Sequence, residues 1–270
     1  MATSNQNPFQ QQAPIPGVKN IIAISSGKGG VGKSTVTSHL AHALSKKFKV
    51  GILDADIYGP SQPRMMGALH QKPEITQEQK LIPPVRHGIK LMSIGFLIDE
   101  EAAVVWRGPM LFKAMDQFVR DVQWGELDYL LVDLPPGTGD VQLSLVQKVP
   151  VSGSVVVTTP QNVSLADVKK AIDMFQRVNT RILGVVENMA FYRHPQTSEK
   201  LEMFPRGELH QYLDAKKIPL LGEVSFTPSL GLSSEAGLPL TESYPEAPES
   251  RTFFEIAETL VALVPPEDPR

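Results

Sequence analysis

The chain has 270 residues, 41% of them hydrophobic, and a mean hydropathy of -0.10. That is enough for one α/β domain with a full core and no staple. Its net charge of -3 gives no electrostatic pull toward nucleic acid or an anionic membrane, so neither is expected as a partner. It has no cysteine, which excludes disulfides, thiolate nucleophiles and any thiolate-held metal or iron–sulfur site built from this chain alone.

Residues 1–17, MATSNQNPFQQQAPIPG, are polar and rich in Pro and Gln, without the apolar run of a signal peptide. They read as a disordered lead-in, followed by one domain over 18–270. No apolar run reaches the roughly 18 residues that a membrane-spanning helix needs, which points to a cytoplasmic protein. The first strand is NIIAIS (20–25), followed by the helical stretch STVTSHLAHALSKK (34–47) and a second strand, KVGILD (49–54). Residues 66–90 and 190–216 read as insertions, irregular or short helical; the first precedes KLMSIGF (90–96), and a helix is expected over 110–122. Then come YLLVDL (129–134), SVVVTT (154–159), a helix over 163–178 and ILGVVEN (182–188). After the second insertion the chain closes with a weak strand, PLLGEV (219–224), and a helix over 251–264. The strands are near-continuous apolar runs, as parallel strands covered on both faces are. Their alternation with helices predicts an α/β fold with a doubly wound, mainly parallel sheet flanked by helices. Ligands in such sheets bind beyond the carboxyl ends of the strands.

The motifs fall at those ends. Gly27, Gly32, Lys33 and Ser34 fit G-x-x-x-x-G-K-[ST], between an apolar strand and an amphipathic helix. Small residues here, with Gly29, Gly30 and Val31, let backbone N–H groups converge on phosphates, and the helix adds the positive end of its dipole. Lys33 is assigned to the terminal phosphates, Ser34 to Mg²⁺ and Thr35 to the α-phosphate. LVDLPPGTGD (131–140) adds Asp133, a partner for the metal, and ILDADIYGP (52–60) adds Asp54 and Asp56. One of these two would activate the hydrolytic water and the other would sit near the metal. The N-K-x-D signature of guanine-specific GTPases is absent, which favours ATP. Asn188 could read an adenine edge or close an Asx turn. His39 and His42 fall on the helix after the phosphate loop and read as packing or solvent residues, while His194 and His210 lack a third metal ligand at a recognisable spacing. The last helix carries acidic residues on its polar face and reads as a core helix, not a membrane-targeting one.

Together these stretches resemble the deviant Walker A ATPases, the group that includes MinD, ParA and the nitrogenase iron protein. The resemblance implies a homodimer in which Lys28 reaches the phosphates of the other subunit, and it makes Asp56 the residue that activates water. Further stretches, among them LDADIYGPSQPRMMG, VWRGPM, DLPPGTGD, VVENM and SSEAGLPL, resemble the Mrp/ApbC family of iron–sulfur cluster carrier ATPases over about residues 16–264. That implies ATP and Mg²⁺ as cofactors, and iron–sulfur clients or scaffolds as partners. The family's C-P-x-C, whose cysteines hold a bridging cluster, is replaced here by HPQT, with His194 and Thr197 in the cysteine positions. A cluster bridged by four thiolates is therefore not expected. Three functions remain: an ATPase of iron–sulfur protein assembly, a cysteine-free ATPase switch that binds a protein partner, and a MinD/ParA-like positioning ATPase.

Overall fold

The computed structural model describes residues 14–57, 59–97, 120–194, 196–205 and 207–266. The VWRGPM stretch and nearly all of the helix expected over 110–122 lie outside them. Strand β1 (Val18–Ser25) leads into α1 (Lys33–Ser45), and β2 (Val50–Asp54) into the single turn α2 (Gln62–Met65). Short strands β3 (Glu74–Ile75), β4 (Leu81–Ile82) and β5 (Val85–Arg86) precede β6 (Ile89–Ser93). Next come β7 (Leu127–Asp133), α3 (Asp140–Lys148), β8 (Gly153–Thr158), α4 (Asn162–Arg177) and β9 (Ile182–Arg193). The remaining elements are β10 (Lys200–Leu201), α5 (Leu209–Lys216), β11 (Leu220–Phe226), α6 (Pro228–Glu235), α7 (Leu240–Ser243) and α8 (Pro248–Leu263).

The main sheet runs β10–β9–β8–β1–β7–β2–β6–β5, with β11 also paired to β9. Pairing is parallel except at the two hairpins, β5 on β6 and β10 on β9. The seven strands expected from the apolar runs are the parallel ones. The run KLMSIGF is strand only to Ser93, because the Ser93 hydroxyl accepts the Gly95 N–H and starts a 3₁₀ turn. The two supposed insertions belong to the fold: the first carries β3 to β5, the second the end of β9, β10 and α5.

The domain also begins earlier than residue 18. Ile15 is buried in the core, and the Gly17 carbonyl accepts the Leu127 N–H at 2.9 Å. One apolar side chain in a polar stretch anchors residues that composition alone reads as disordered. At the far end, Phe253, Ile256, Ala257 and Leu260 put the buried face of α8 against α1 and β11, while Glu255 and Glu258 are exposed. This is the spacing of a core helix. The Tyr129 hydroxyl satisfies itself on the Val264 carbonyl at 2.7 Å. Among the described residues no helix is long and apolar enough to cross a membrane.

Chain direction places the site. From β1 the chain passes through α1 to β2, skipping the position that β7 later fills, whereas β7 leads through α3 to β8 on the other side of β1. The strand order thus reverses at β1, which makes its carboxyl end the topological switch point. The register there sets Ile24, Asp133, Asp54 and Ser93 side by side in one row across β1, β7, β2 and β6.

Candidate functional site

The loop between β1 and α1 folds over that row. Two of its glycines have no substitute. A Cβ on Gly27 would lie 2.3 Å from the Asp167 carbonyl oxygen of α4. Gly32 has a φ of 79°, and a Cβ there would lie 2.2 Å from the Asn188 amide nitrogen. The loop is held at three points: the Ser26 hydroxyl donates to the Lys28 carbonyl at 2.9 Å, the Gly137 N–H to the Ser26 carbonyl at 2.9 Å, and Asn188 Nδ2 to the Val31 carbonyl at 2.8 Å. Asn188, itself buried, thus donates its amide to the phosphate loop. Just beyond it Met189 has a φ of 54°, and the β9–β11 register slips, so the strand bulges where it touches the loop.

A cavity of about 250 Å³ lies in front of the loop. Ser26 and residues 29–35 form one wall, and Asp56, Ser61, Met65 and Pro136 form the other. This places Gly29, Gly30, Val31, Gly32, Lys33, Ser34, Thr35 and Asp56 together at one surface. Behind it, the buried Lys33 ammonium pairs closely with Asp133 Oδ1 and lies 3.8 Å from Asp56 Oδ2. Asp133 is steadied by Gln62 Nε2 on its second oxygen at 2.8 Å and by the Thr37 hydroxyl at 3.3 Å. Gln62 also holds the Ser34 carbonyl at 3.0 Å, so one amide joins the metal-side serine to the β7 carboxylate.

Asp54 takes a different place from the one its spacing to Asp56 suggested. It is fully buried and does not line the cavity. Oδ2 accepts from the Gln62 N–H at 3.1 Å and the Ser93 hydroxyl at 2.9 Å, and Oδ1 accepts from the Asp56 N–H at 3.3 Å. Burial, with the charge of Asp133 second, pushes its carboxyl up to about 7. Asp54 therefore fits as the post that sets the turn carrying Asp56 and Gln62, and not as a direct metal ligand. Three carboxylates around one ammonium still leave surplus negative charge, and the Ser34 hydroxyl at the cavity wall offers a hard oxygen. This donor set fits Mg²⁺.

Lys28 is half-buried at the loop's edge, and among the described residues no carboxylate pairs with its ammonium. The structure also reveals a tie that the sequence left as packing. His39, buried in α1, has Nδ1 2.8 Å from the Thr35 carbonyl, while Nε2 accepts the Leu240 N–H at 3.0 Å. These bonds define a neutral tautomer with the proton on Nδ1. Burial pulls its pKa down to about 4. His42 pairs with Glu242, which also holds Lys46 at 3.0 Å, so α1 is bound to the α7 segment twice. Gln62, Thr37 and Ser93 go unassigned in sequence, and His39 reads there only as packing or solvent, because single polar residues within apolar or turn patterns carry no motif.

His194 lies at the turn of the β9–β10 hairpin, where Nδ1 accepts the Gln196 and Thr197 N–H groups, both at 3.3 Å. Thr197 is exposed. A cluster held by this chain's own thiolates is ruled out by composition.

Comparison with known proteins now adds to this geometry. An iron–sulfur cluster carrier protein of Aquifex aeolicus is 46% identical over 261 residues, spanning 96% of this chain and 72% of its own. A nucleotide-binding protein of Archaeoglobus fulgidus, solved in complex with ADP, is 40% identical with a TM-score of 0.77, over 89% of this chain and 93% of its own. The cell division ATPase MinD of Pyrococcus furiosus shares the fold at 23% identity, with a TM-score of 0.68 over 91% and 99% of the two chains. The description "NUBPL iron-transfer P-loop NTPase" matches residues 17–261, nearly the whole chain. A P-loop at the switch point of a MinD-type sheet and this extended match together show that the chain belongs to the NUBPL iron-transfer P-loop NTPase family, the group of the Mrp/ApbC carriers.

Proposed function

We propose that this chain hydrolyses ATP with Mg²⁺ as a nucleotide-gated homodimer and serves iron–sulfur protein assembly without holding a cluster on its own thiolates. The observation that carries this reading is the convergence of Lys33, Ser34 and Asp56 on one cavity, backed by Asp133, with Lys28 on the same phosphate loop and, among the described residues, no carboxylate paired to its ammonium.

The triphosphate would lie along the backbone N–H groups of residues 29–35, with the positive end of α1 behind it. Lys33 would exchange part of its Asp133 contact for the β- and γ-phosphates. Ser34 would hold Mg²⁺, with Asp133 kept in place behind it by Gln62 and Thr37. Bound there, Mg²⁺ supplies charge neutralisation on the β- and γ-oxygens. Asp56 would accept a proton from water as its oxygen bonds to the γ-phosphorus, and the bond to the bridging oxygen breaks to give ADP and inorganic phosphate. Lys28 would neutralise the γ-phosphate of the partner, which ties hydrolysis to dimer closure. ADP in the Archaeoglobus relative supports an adenine nucleotide, and the cluster-carrier name of the Aquifex relative supports iron–sulfur work. The missing cysteines favour a second reading of the cargo, in which a client or scaffold holds the cluster and this chain acts only as the switch. A positioning role needs a DNA- or membrane-binding surface, and the charge of -3 gives no basis for one.

Mixing two inactive variants tests the dimer. Lys28→Ala should lower turnover about 10³-fold, the lower end of what a trans-acting cation contributes, while leaving ATP binding nearly intact. Asp56→Ala should also be inactive. Mixed dimers of the two contain one site with its own Asp56 and the partner's Lys28, so activity should reappear on mixing. A mixture that stays inactive overturns the trans role. Retention of both iron and acid-labile sulfide after anaerobic reconstitution would overturn the cluster-free reading.

A further inference from the structure

Glu187 and Asn188 are consecutive in β9, so their side chains leave opposite faces of the strand. Asn188 goes to the phosphate loop. Glu187 goes the other way, is only 5% exposed, and stands in direct register with Glu223 of β11. Burying Glu187 carries a desolvation cost, which a cation bound between the two carboxylates would offset.

The third member comes from α5. His210 Nε2 lies 3.1 Å from Glu187 Oε2 and 3.8 Å from Glu223 Oε1, and one donor atom from each of the three side chains lies within 4.8 Å of the others. Zinc bonds of roughly 2.0–2.2 Å set neighbouring tetrahedral donors about 3.3 Å apart. The two histidine distances bracket that value, and the two carboxylates approach each other by rotation of the Glu223 side chain, which is 22% exposed.

We propose that Glu187, His210 and Glu223 form a binding site for a divalent transition metal, with Zn²⁺ as the ion. An imidazole nitrogen selects against Mg²⁺ and Ca²⁺, which take oxygen ligands, and the absence of thiolate suits zinc or cobalt over copper(I). Three protein ligands leave one tetrahedral position for water. The site lies across β9 from the phosphate loop, uses none of its residues and does not rest on the ATPase reading. His210 had no recognisable spacing to other ligands in sequence because its partners are supplied by a parallel strand pair.

The competing account is a set of ion pairs and hydrogen bonds among these side chains and their neighbours, with no metal bound. Calorimetric titration of tag-free, EDTA-stripped, full-length protein with Zn²⁺, without nucleotide, separates the two. The site predicts one ion per chain, and Co²⁺ in its place should give the visible absorption of a low-coordinate centre. His210→Ala should weaken this binding at least about 10-fold, the loss typical even for an outer-shell partner, and His194→Ala should not. His210→Lys places a permanent cation beside the two carboxylates but offers no imidazole ligand, so it should fold with wild-type stability and fail to bind zinc. No stoichiometric zinc in the wild type, or equal binding by His210→Ala, overturns the site.

Discussion

The middle of β9 and its far end are built on opposite principles. At its middle, Asn188 joins a phosphate loop whose polar groups are engaged: Lys33 with Asp133, Asp133 with Gln62 and Thr37, Asp54 with Ser93 and Gln62. At its far end, the hairpin to β10 has exposed residues at its turn and is held chiefly by backbone pairing and by Arg193 and Lys200 over the Phe191 ring, 5.4 and 4.3 Å from its centroid. The difference teaches where the sequence was free to change. A loop that must place N–H groups and three carboxylates within an ångström tolerates little substitution. A hairpin turn tolerates HPQT in place of a cysteine pair.

Acid should break the phosphate-loop region and spare the hairpin. His39 secures α1, directly behind the phosphate loop, and its pKa falls from the usual 6.5 to about 4. Between those values the unfolded chain binds a proton that the native histidine refuses. Stability is therefore complete above 6.5 and is lost as pH falls toward 4, by about 3 kcal/mol. Asp54, raised to about 7, works the other way in an overlapping window, since the native state holds a proton the unfolded state has released. Denaturant melts of wild type and His39→Gln at several pH values remove that shared contribution. Wild type should lose about 3 kcal/mol more than the variant between pH 6.5 and 4, and parallel curves would show that the histidine is not the clamp.

Asn188→Ala sharpens the contrast at the join itself. It leaves the Val31 carbonyl without its partner and should cost about 1–3 kcal/mol. If the amide braces the loop, affinity for ATP and GTP should fall by the same factor in filter-binding or calorimetric titrations. A loss confined to ATP would return Asn188 to the reading of an adenine edge.

The fold was legible because parallel strands buried on both faces leave continuous apolar runs, and all seven were visible. The phosphate loop was equally legible, since Gly27, Gly32, Lys33 and Ser34 recur at a fixed local spacing. What could not be read was anything assembled across the sheet. Asp54 and Asp56 look equivalent two residues apart, yet one is a buried post and the other faces the cavity. Gln62 and His39 act on groups 71 and 201 residues away. Ile15 shows the converse failure, where polar composition concealed one anchoring side chain.

The smallest effect is expected at the hairpin, and it is the most pointed test of the comparison. His194→Ala with Thr197→Ala removes two 3.3 Å turn bonds to a half-buried ring and the 3.4 Å bond that the exposed Thr197 hydroxyl accepts from the Glu199 N–H. Stability should change by no more than about 0.5 kcal/mol, as at ordinary surface positions, with ATP turnover unchanged. The same tolerance allows a reversal. His194→Cys with Thr197→Cys supplies two thiolates per chain and hence four across a homodimer, the ligand number of a cubane cluster. That variant should retain iron and sulfide on anaerobic reconstitution while hydrolysing ATP at the wild-type rate. A drop in turnover would mean that the hairpin and the phosphate loop are coupled along β9 after all, and that the two regions do not vary independently.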